Sequence, residues 1–235
     1  MNDVIAAARA RGRSQLTEVE AKQLLGAAGV PVADTRLATT GDEAVSAADA
    51  IGYPVVMKVV SPEIAHKSDI GGVVLGVEDA DGVRAIFAQI TDAVAKAAPN
   101  ADVDGIAVQA MVPQGIEVIV GGTIDPQFGP VMMFGLGGVF VEILEDVSFR
   151  IVPLEQRDAH DLIREIKGFP LLDGARGQEK ADVAALEQLV LKVSAVMESN
   201  PDIAELDLNP VFAYVNGAIA VDAHVVLSDV SEGAA

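Results

Sequence analysis

Glu205-Leu206-Asp207-Leu208-Asn209-Pro210, followed thirteen residues after Asn209 by Asp222 in Val221-Asp222-Ala223, is the stretch whose reading decides the fold. The turn signal Asn216-Gly217 lies between the two pieces, so they read as a hairpin. In an extended strand Glu205, Asp207 and Asn209 fall on one face, and Leu206 and Leu208 fall on the other. A hairpin of this length brings Asp222 opposite Asn209. Oxygen ligands converging on one sheet face suit a hard divalent cation such as magnesium, which takes a few protein oxygens and keeps places for phosphates. An exposed acidic strand face gives the same alternation, so the hairpin needs a second signal beside it.

That signal lies far upstream. Tyr53-Pro54-Val55-Val56-Met57-Lys58-Val59-Val60 reads as a buried strand carrying one lysine, and Val73-Val74-Leu75-Gly76-Val77 reads as its neighbour. Between them runs the polar loop Ser61-Pro62-Glu63-Ile64-Ala65-His66-Lys67-Ser68-Asp69-Ile70, closed by Gly71-Gly72. A lysine inside a valine-rich strand is costly unless an anion meets its ammonium group, and phosphate oxygens are a fitting partner. Gly71 and Gly72 would let backbone N–H groups come close to the same phosphates. A lysine snorkelling at a sheet edge and an ordinary hairpin glycine pair would look alike. Taken with the acidic hairpin, the segment describes the two jaws of a nucleotide–magnesium site.

Composition narrows the field. A chain of 235 residues that is 51% hydrophobic can bury a sizeable core. Sixteen basic against thirty-five acidic side chains leave a net charge of −19, which argues against a nucleic-acid partner. An anionic substrate must then be held locally, by Lys58, backbone amides and a metal. The chain has no cysteine, which excludes disulfides, thiolate metal sites and cysteine nucleophiles. No apolar run approaches the length of about 18 residues that a membrane helix needs, and the start lacks a signal-peptide pattern. The expected location is the cytoplasm.

Along the chain, Thr17-Glu18-Val19-Glu20 is a capping box opening a helix that stops at Gly29, and Thr40-Gly41-Asp42-Glu43 opens a second ending near Gly52. An amphipathic helix spans residues 82–97, with Val83, Ile86, Phe87, Ile90 and Val94 on one stripe. From Gly105 strands follow one another at residues 106–111, 116–124, 131–134, 139–144 and 149–153. Helices at 155–166 and 183–198 precede the acidic hairpin. The expected class is α+β with α/β character. The expected domains are a first lobe over residues 1–104, a second over 105–227 and a frayed tail at 228–235.

The order of these motifs resembles the ATP-grasp fold, two lobes gripping a nucleotide. More narrowly it resembles the beta subunits of ADP-forming acetate–CoA ligases, relatives of succinyl-CoA synthetase. The matching pieces include Leu16-Thr17-Glu18-Val19-Glu20-Ala21-Lys22, Tyr53-Pro54-Val55-Val56-Met57-Lys58 and His66-Lys67-Ser68-Asp69-Ile70-Gly71-Gly72-Val73. Further on they are Gly115-Ile116-Glu117-Val118-Ile119-Val120-Gly121, Asp125-Pro126-Gln127-Phe128-Gly129-Pro130 and the acidic hairpin itself. The His-Lys-Ser-Asp-Ile-Gly-Gly block and the hairpin are the specific ones. The lysine strand and the glycine-rich turns recur across ATP-grasp enzymes.

The resemblance implies a role for each position. Lys58, with Gly71 and Gly72, would contact the phosphates of ATP or ADP. Gln109 through Met111 would meet adenine through backbone groups, and Glu117 would hold the ribose hydroxyls. Asn209 and Asp222 would ligate Mg2+, with Asp207 beside them. His66 would be a phosphate carrier, since a neutral imidazole nitrogen accepts a phosphoryl group near neutral pH, and Asp207 would orient its ring. The loop from Ser61 to Ile70 has no apolar stretch to anchor it and is expected to move. His160, on a surface helix, and His224, on the closing hairpin, keep the reading of solvated bystanders. A CoA-binding alpha subunit would convert acyl-CoA and phosphate to free acid and CoA within an α2β2 complex, since 235 residues leave no room for a CoA module here. Two other readings compete. A free-standing ATP-grasp carboxylate ligase working through an acyl phosphate would not need His66, and a non-catalytic nucleotide sensor would tolerate loss of His66 and Asp207.

Overall fold

In a computed structural model, residues 2–64, 66–138, 146–177 and 179–228 are described. The chain divides into two compact units, Ala33–Pro113 and a discontinuous one formed by Met1–Val32 with Gln114–Ala235. Among the described residues no helix is long and apolar enough to cross a membrane.

The unit Ala33–Pro113 is a four-stranded antiparallel sheet with two helices on one face. Its strands are β1 (Thr35–Ala38), β2 (Val55–Val60), β3 (Val73–Val77) and β4 (Gly105–Ala110), in the order β1-β4-β2-β3. Helix α3 (Gly41–Ile51) starts where the Thr40 hydroxyl accepts the Glu43 N–H, and it ends at Gly52. Helix α4 (Ala80–Ala97) starts two residues before the expected position, because the Asp79 carboxylate accepts the Gly82 N–H at 2.7 Å and caps the earlier turn. Val83, Ile90 and Val94 of α4 are buried with Val55, Met57, Val59, Ile106 and Val108 of the sheet. Alternation then sends Val56, Lys58 and Val60 to the opposite face, together with Gln109, which pairs with Val56.

The other unit carries a longer antiparallel sheet. Strands β5 (Ile116–Asp125), β6 (Gly129–Leu136), β7 (Val147–Ile151), β8 (Ile203–Ala213) and β10 (His224–Leu227) run in the order β10-β8-β5-β6-β7, and β9 (Ala218–Ala220) pairs with β8. The strand expected at 139–144 lies outside the described residues. Helices α5 (Gln156–Glu165) and α7 (Val183–Ser199) pack on the sheet, and the short α6 (Phe169–Leu172) joins them, with Leu162, Leu186, Val190 and Val193 fully enclosed beside Phe134, Leu206 and Val225. Helices α1 (Asn2–Ala10) and α2 (Glu18–Ala27) belong to this core. The Thr17 capping box forms as expected, and Arg13 holds the same Glu20 carboxylate at 2.6 and 2.7 Å.

These contacts correct the expected division at 104/105. Residues 14–16 lie along β10, with the Leu16 N–H donating to Val225 at 3.0 Å and the Leu227 N–H to Ser14 at 2.7 Å. The Ala220 N–H donates to Pro31, and Lys192 donates to the Gly29 carbonyl at 2.7 Å. Leu24 and Leu25 are sealed in the second core. Conversely β4, assigned from sequence to the second lobe, lies between β1 and β2 and pairs with all six residues of β2, Val55 to Val60.

Leu24→Ala should therefore cost about 2–5 kcal/mol, as expected for a large-to-small change in a close-packed core. Amide exchange should accelerate in β8 and β10, with β2 and β4 keeping their protection. Equal acceleration in both sheets would contradict the assignment of residues 1–32.

Candidate functional site

In the unit Ala33–Pro113, Lys58 and Gln109 share the sheet face turned away from α3 and α4. Both are buried, at 9% and 1% exposure, which for a lysine requires polar company. Met111 follows β4, is 45% exposed, and donates its N–H to the Pro54 carbonyl at 3.3 Å. The end of β4, an inner strand, therefore exposes one thioether side chain, with the Ala110 and Met111 N–H groups already donated to Asp34 and Pro54.

The loop carrying His66 departs from expectation. Ile64 is only 8% exposed and joins the apolar core, with Ile70 packed against the same cluster. Glu63 accepts the Asp102 N–H at 3.1 Å. The loop is therefore pinned by single apolar side chains, which a search for an apolar stretch overlooks. Around the second pin the Asp69 N–H donates to the His66 carbonyl, the Gly71 N–H to Ser68 and the Gly72 N–H to Lys67. A Cβ at Gly72 would lie 2.8 Å from the Lys67 carbonyl oxygen, so this glycine permits a close backbone approach inside the loop. The amides of Gly71 and Gly72 are thus spent on the turn, which corrects their expected use as phosphate donors. His66 itself is exposed at the tip.

The acidic hairpin is built by one register. His224 faces Asp207, Val225 faces Leu206 and Ala220 faces Val211. Carried through the intervening residues, the same register sets Asp222 opposite Asn209, and the Val221 N–H donates to Pro210 at 2.9 Å. Against β5 the register shifts between Val118 and Val120, so that β8 has two residues, Asn209 and Pro210, where β5 has Ile119. This bulge lets both Leu208 and Val211 enter the core and turns Asn209 outward. Glu205, Asp207 and Asn209 do share a face, while Leu206 and Leu208 are fully buried. Asp222 accepts the Ala223 N–H at 2.8 Å.

Asp207 is held above the ordinary carboxylate range. Burial is the main cause, the charges of Glu205 and Asp222 push the same way, and His224 opposes them. Three carboxylates at one place raise the cost of ionisation, and a divalent cation would relieve it, so the donor set suits magnesium. Among the described residues no three His, Asp or Glu side chains form a metal-binding group by themselves. His224, read from the sequence as a solvated bystander, is exposed and faces Asp207 across the hairpin. The loop closes at Val215-Asn216, with the Tyr214 N–H donating to the Gly217 carbonyl at 3.0 Å, one residue before the Asn216-Gly217 signal, and that offset is what sets His224 opposite Asp207.

Glu117 lies on β5 in the same unit. Its carbonyl accepts the Gly137 N–H at 2.8 Å, and a cavity of about 390 Å³, lined in part by Ile116, Leu136 and Leu171, opens beside it.

The ATP-grasp domain family matches residues 7–227. The chain is 48% identical over 225 residues to the Acetate--CoA ligase [ADP-forming] I subunit beta of Pyrococcus furiosus, covering 96% of this chain and 97% of that one. A solved acetyl-coenzyme A synthetase 1 of Ca. Korarchaeum cryptofilum, in complex with coenzyme A, Ca-AMPCP and HgCl+, superposes with a TM-score of 0.92 at 45% identity and covers 97% of this chain and 99% of that chain. Another structure of that enzyme holds Mg-AMPPCP with a phosphohistidine segment pointing towards the nucleotide binding site, at a TM-score of 0.87 and 42% identity over the same shares of the two chains.

The Asp207 environment fixes the sign of a pH effect. Its folded-state pKa is raised, so the stability it contributes is complete below the unfolded value of about 3.9 and is lost as pH rises through the folded value. Metal-free Asp207→Asn should then melt higher than the wild type at neutral pH, with the difference vanishing near pH 3. A lower melting temperature for the variant at neutral pH would refute this account.

Proposed function

The chain belongs to the ATP-grasp family, among the beta subunits of ADP-forming acetate–CoA ligases, and on that premise we propose that it is the nucleotide-handling subunit of such a synthetase. The observation that carries the reading is the buried Lys58, beside Gln109, in a chain whose other unit aligns Asp207, Asn209 and Asp222 on one hairpin. Lys58 takes the nucleotide phosphates, the backbone from Gln109 to Met111 meets adenine, and Glu117 accepts from the ribose hydroxyls. Asn209 and Asp222 would hold magnesium, which when bound offsets negative charge on the phosphate oxygens.

His66 carries the phosphoryl group in this reading. Its N–P bond breaks as a terminal oxygen of ADP forms the new O–P bond, leaving ATP and a neutral imidazole. The reverse step charges the histidine from ATP. Asp207 would orient the ring. A CoA-binding alpha subunit interconverts acyl-CoA, free acid and acyl phosphate, and we assign the pair to an α2β2 complex in the cytoplasm. The anchoring of the His66 loop at Ile64 and Ile70 favours a second possibility, in which a histidine segment of the partner delivers phosphate to ADP directly.

Lys58→Met and Asp222→Asn should each weaken ADP–magnesium binding by about 1.5–3 kcal/mol, the worth of a charge-assisted contact. Unchanged calorimetric affinity in both variants would remove the site. His66→Ala, assembled with the alpha subunit, should keep nucleotide affinity and lose acyl-CoA-dependent ATP formation. Acid-labile, base-stable phosphate should appear on the wild-type chain with ATP and magnesium. Wild-type turnover by His66→Ala would hand the transfer to the partner's histidine.

A further inference from the structure

The end of β6 is folded over Glu117 in a way that ordinary strand pairing does not demand. Gly137 continues the β5–β6 register and lies opposite Glu117, joined by the 2.8 Å hydrogen bond from its N–H. A Cβ at Gly137 would stand 3.0 Å from the Glu117 Cβ and 3.1 Å from its carbonyl carbon. Facing residues in an antiparallel pair normally keep their Cβ atoms about 4.5–5.5 Å apart, so the two backbones meet more closely here than side chains allow. Gly138 then turns left-handed, at φ +64, and a Cβ there would stand 2.9 Å from Glu117 Oε2. The crowding at Gly138 falls on the tip of the carboxylate, with Cδ at 4.0 Å as the next nearest atom.

We propose that Gly137-Gly138 is a positioning element which sets where the Glu117 carboxylate stands and thereby sets the preference for a ribose bearing free hydroxyls. The inference rests on the reading of Glu117 as the ribose-binding residue. A carboxylate discriminates a diol only if both oxygens keep their angles to the hydroxyls, and hydrogen bonds weaken steeply when those angles are lost. Gly137, having no side chain, lets the Glu117 backbone lie close against the end of β6. Gly138 leaves just enough room for Oε2 on one side of the cavity, where Ile116 and Leu136 supply apolar wall. Adding one methyl group at Gly138 would push the carboxylate without touching the core. Its effect would be read in specificity before it is read in stability.

The test is calorimetric binding of ADP and of 2′,3′-dideoxy-ADP, with magnesium, to five proteins. These are the wild type, Glu117→Gln, Gly138→Ala, Gly138→Asn and Gly129→Ala. Gly138→Asn adds the same Cβ with a side chain that tolerates left-handed backbone, and it serves if the alanine variant folds poorly. Gly129 has a left-handed φ of +75 with nothing within 4 Å of a Cβ, so Gly129→Ala imposes the same backbone strain without a neighbour. The expected result is a preference for ADP that falls on the order of tenfold in the Gly138 variants, with affinity for the dideoxy nucleotide unchanged and Gly129→Ala behaving as wild type. A preference lost in Glu117→Gln but kept in folded Gly138 variants would overturn the positioning role and leave the ribose reading standing. A preference kept in Glu117→Gln would overturn both. An equal fall in Gly129→Ala would reduce the effect to backbone strain and also overturn the proposal.

Discussion

The constraint on which the acidic hairpin depends is the constancy of one antiparallel register from Glu205 to Val226. Pairing is interrupted around Asn209 and Pro210 on one side and Asp222 on the other, yet the offset is the same before and after the gap. A slip of one residue would turn Leu206 and Leu208 to solvent and bury Asp207, so the core itself enforces the offset. The tight turn at Val215-Asn216 and the cover supplied by residues 14–16 hold both ends of the returning chain. Chemistry follows from packing here. The carboxylates of Asp207 and Asp222 come together because leucines and valines on the opposite face require it.

Much of this was legible in the sequence because the patterns were local. The capping box at Thr17, the hydroxyl cap at Thr40, alternation in Glu205 to Asn209 and the valine-rich strand around Lys58 each report on a few neighbouring residues. Partnership between distant segments was not legible. Ile106-Ala107-Val108 reads as a strand wherever it pairs, and only its long ladder with β2 shows which sheet owns it. Residues 1–32 look like the start of the first lobe, since nothing local reveals that Leu24 and Leu25 are buried beyond the intervening unit's sequence. The bulge at Asn209-Pro210 was equally hidden, because it depends on β5.

The His66 loop teaches the same lesson at smaller scale. Its composition is polar, and its two isoleucines are isolated in sequence. Each finds the apolar cluster beneath α4, and three short backbone hydrogen bonds close the remainder. The glycines there shape the turn that holds His66 at its tip. In the proposed function, a histidine presented from so closed a turn serves as a fixed landing point more than as a long arm.

The discontinuity of the larger unit also has a consequence for how the chain is born. Ala33–Pro113 can complete its sheet as soon as β4 has left the ribosome. Helix α2 cannot, because Leu16 and its neighbours pair with β10, roughly 200 residues later in synthesis. At typical elongation rates of about 5–20 residues per second, Leu24 and Leu25 remain uncovered for roughly 10–40 s. The segment that finishes the molecule is thus among the first to be made.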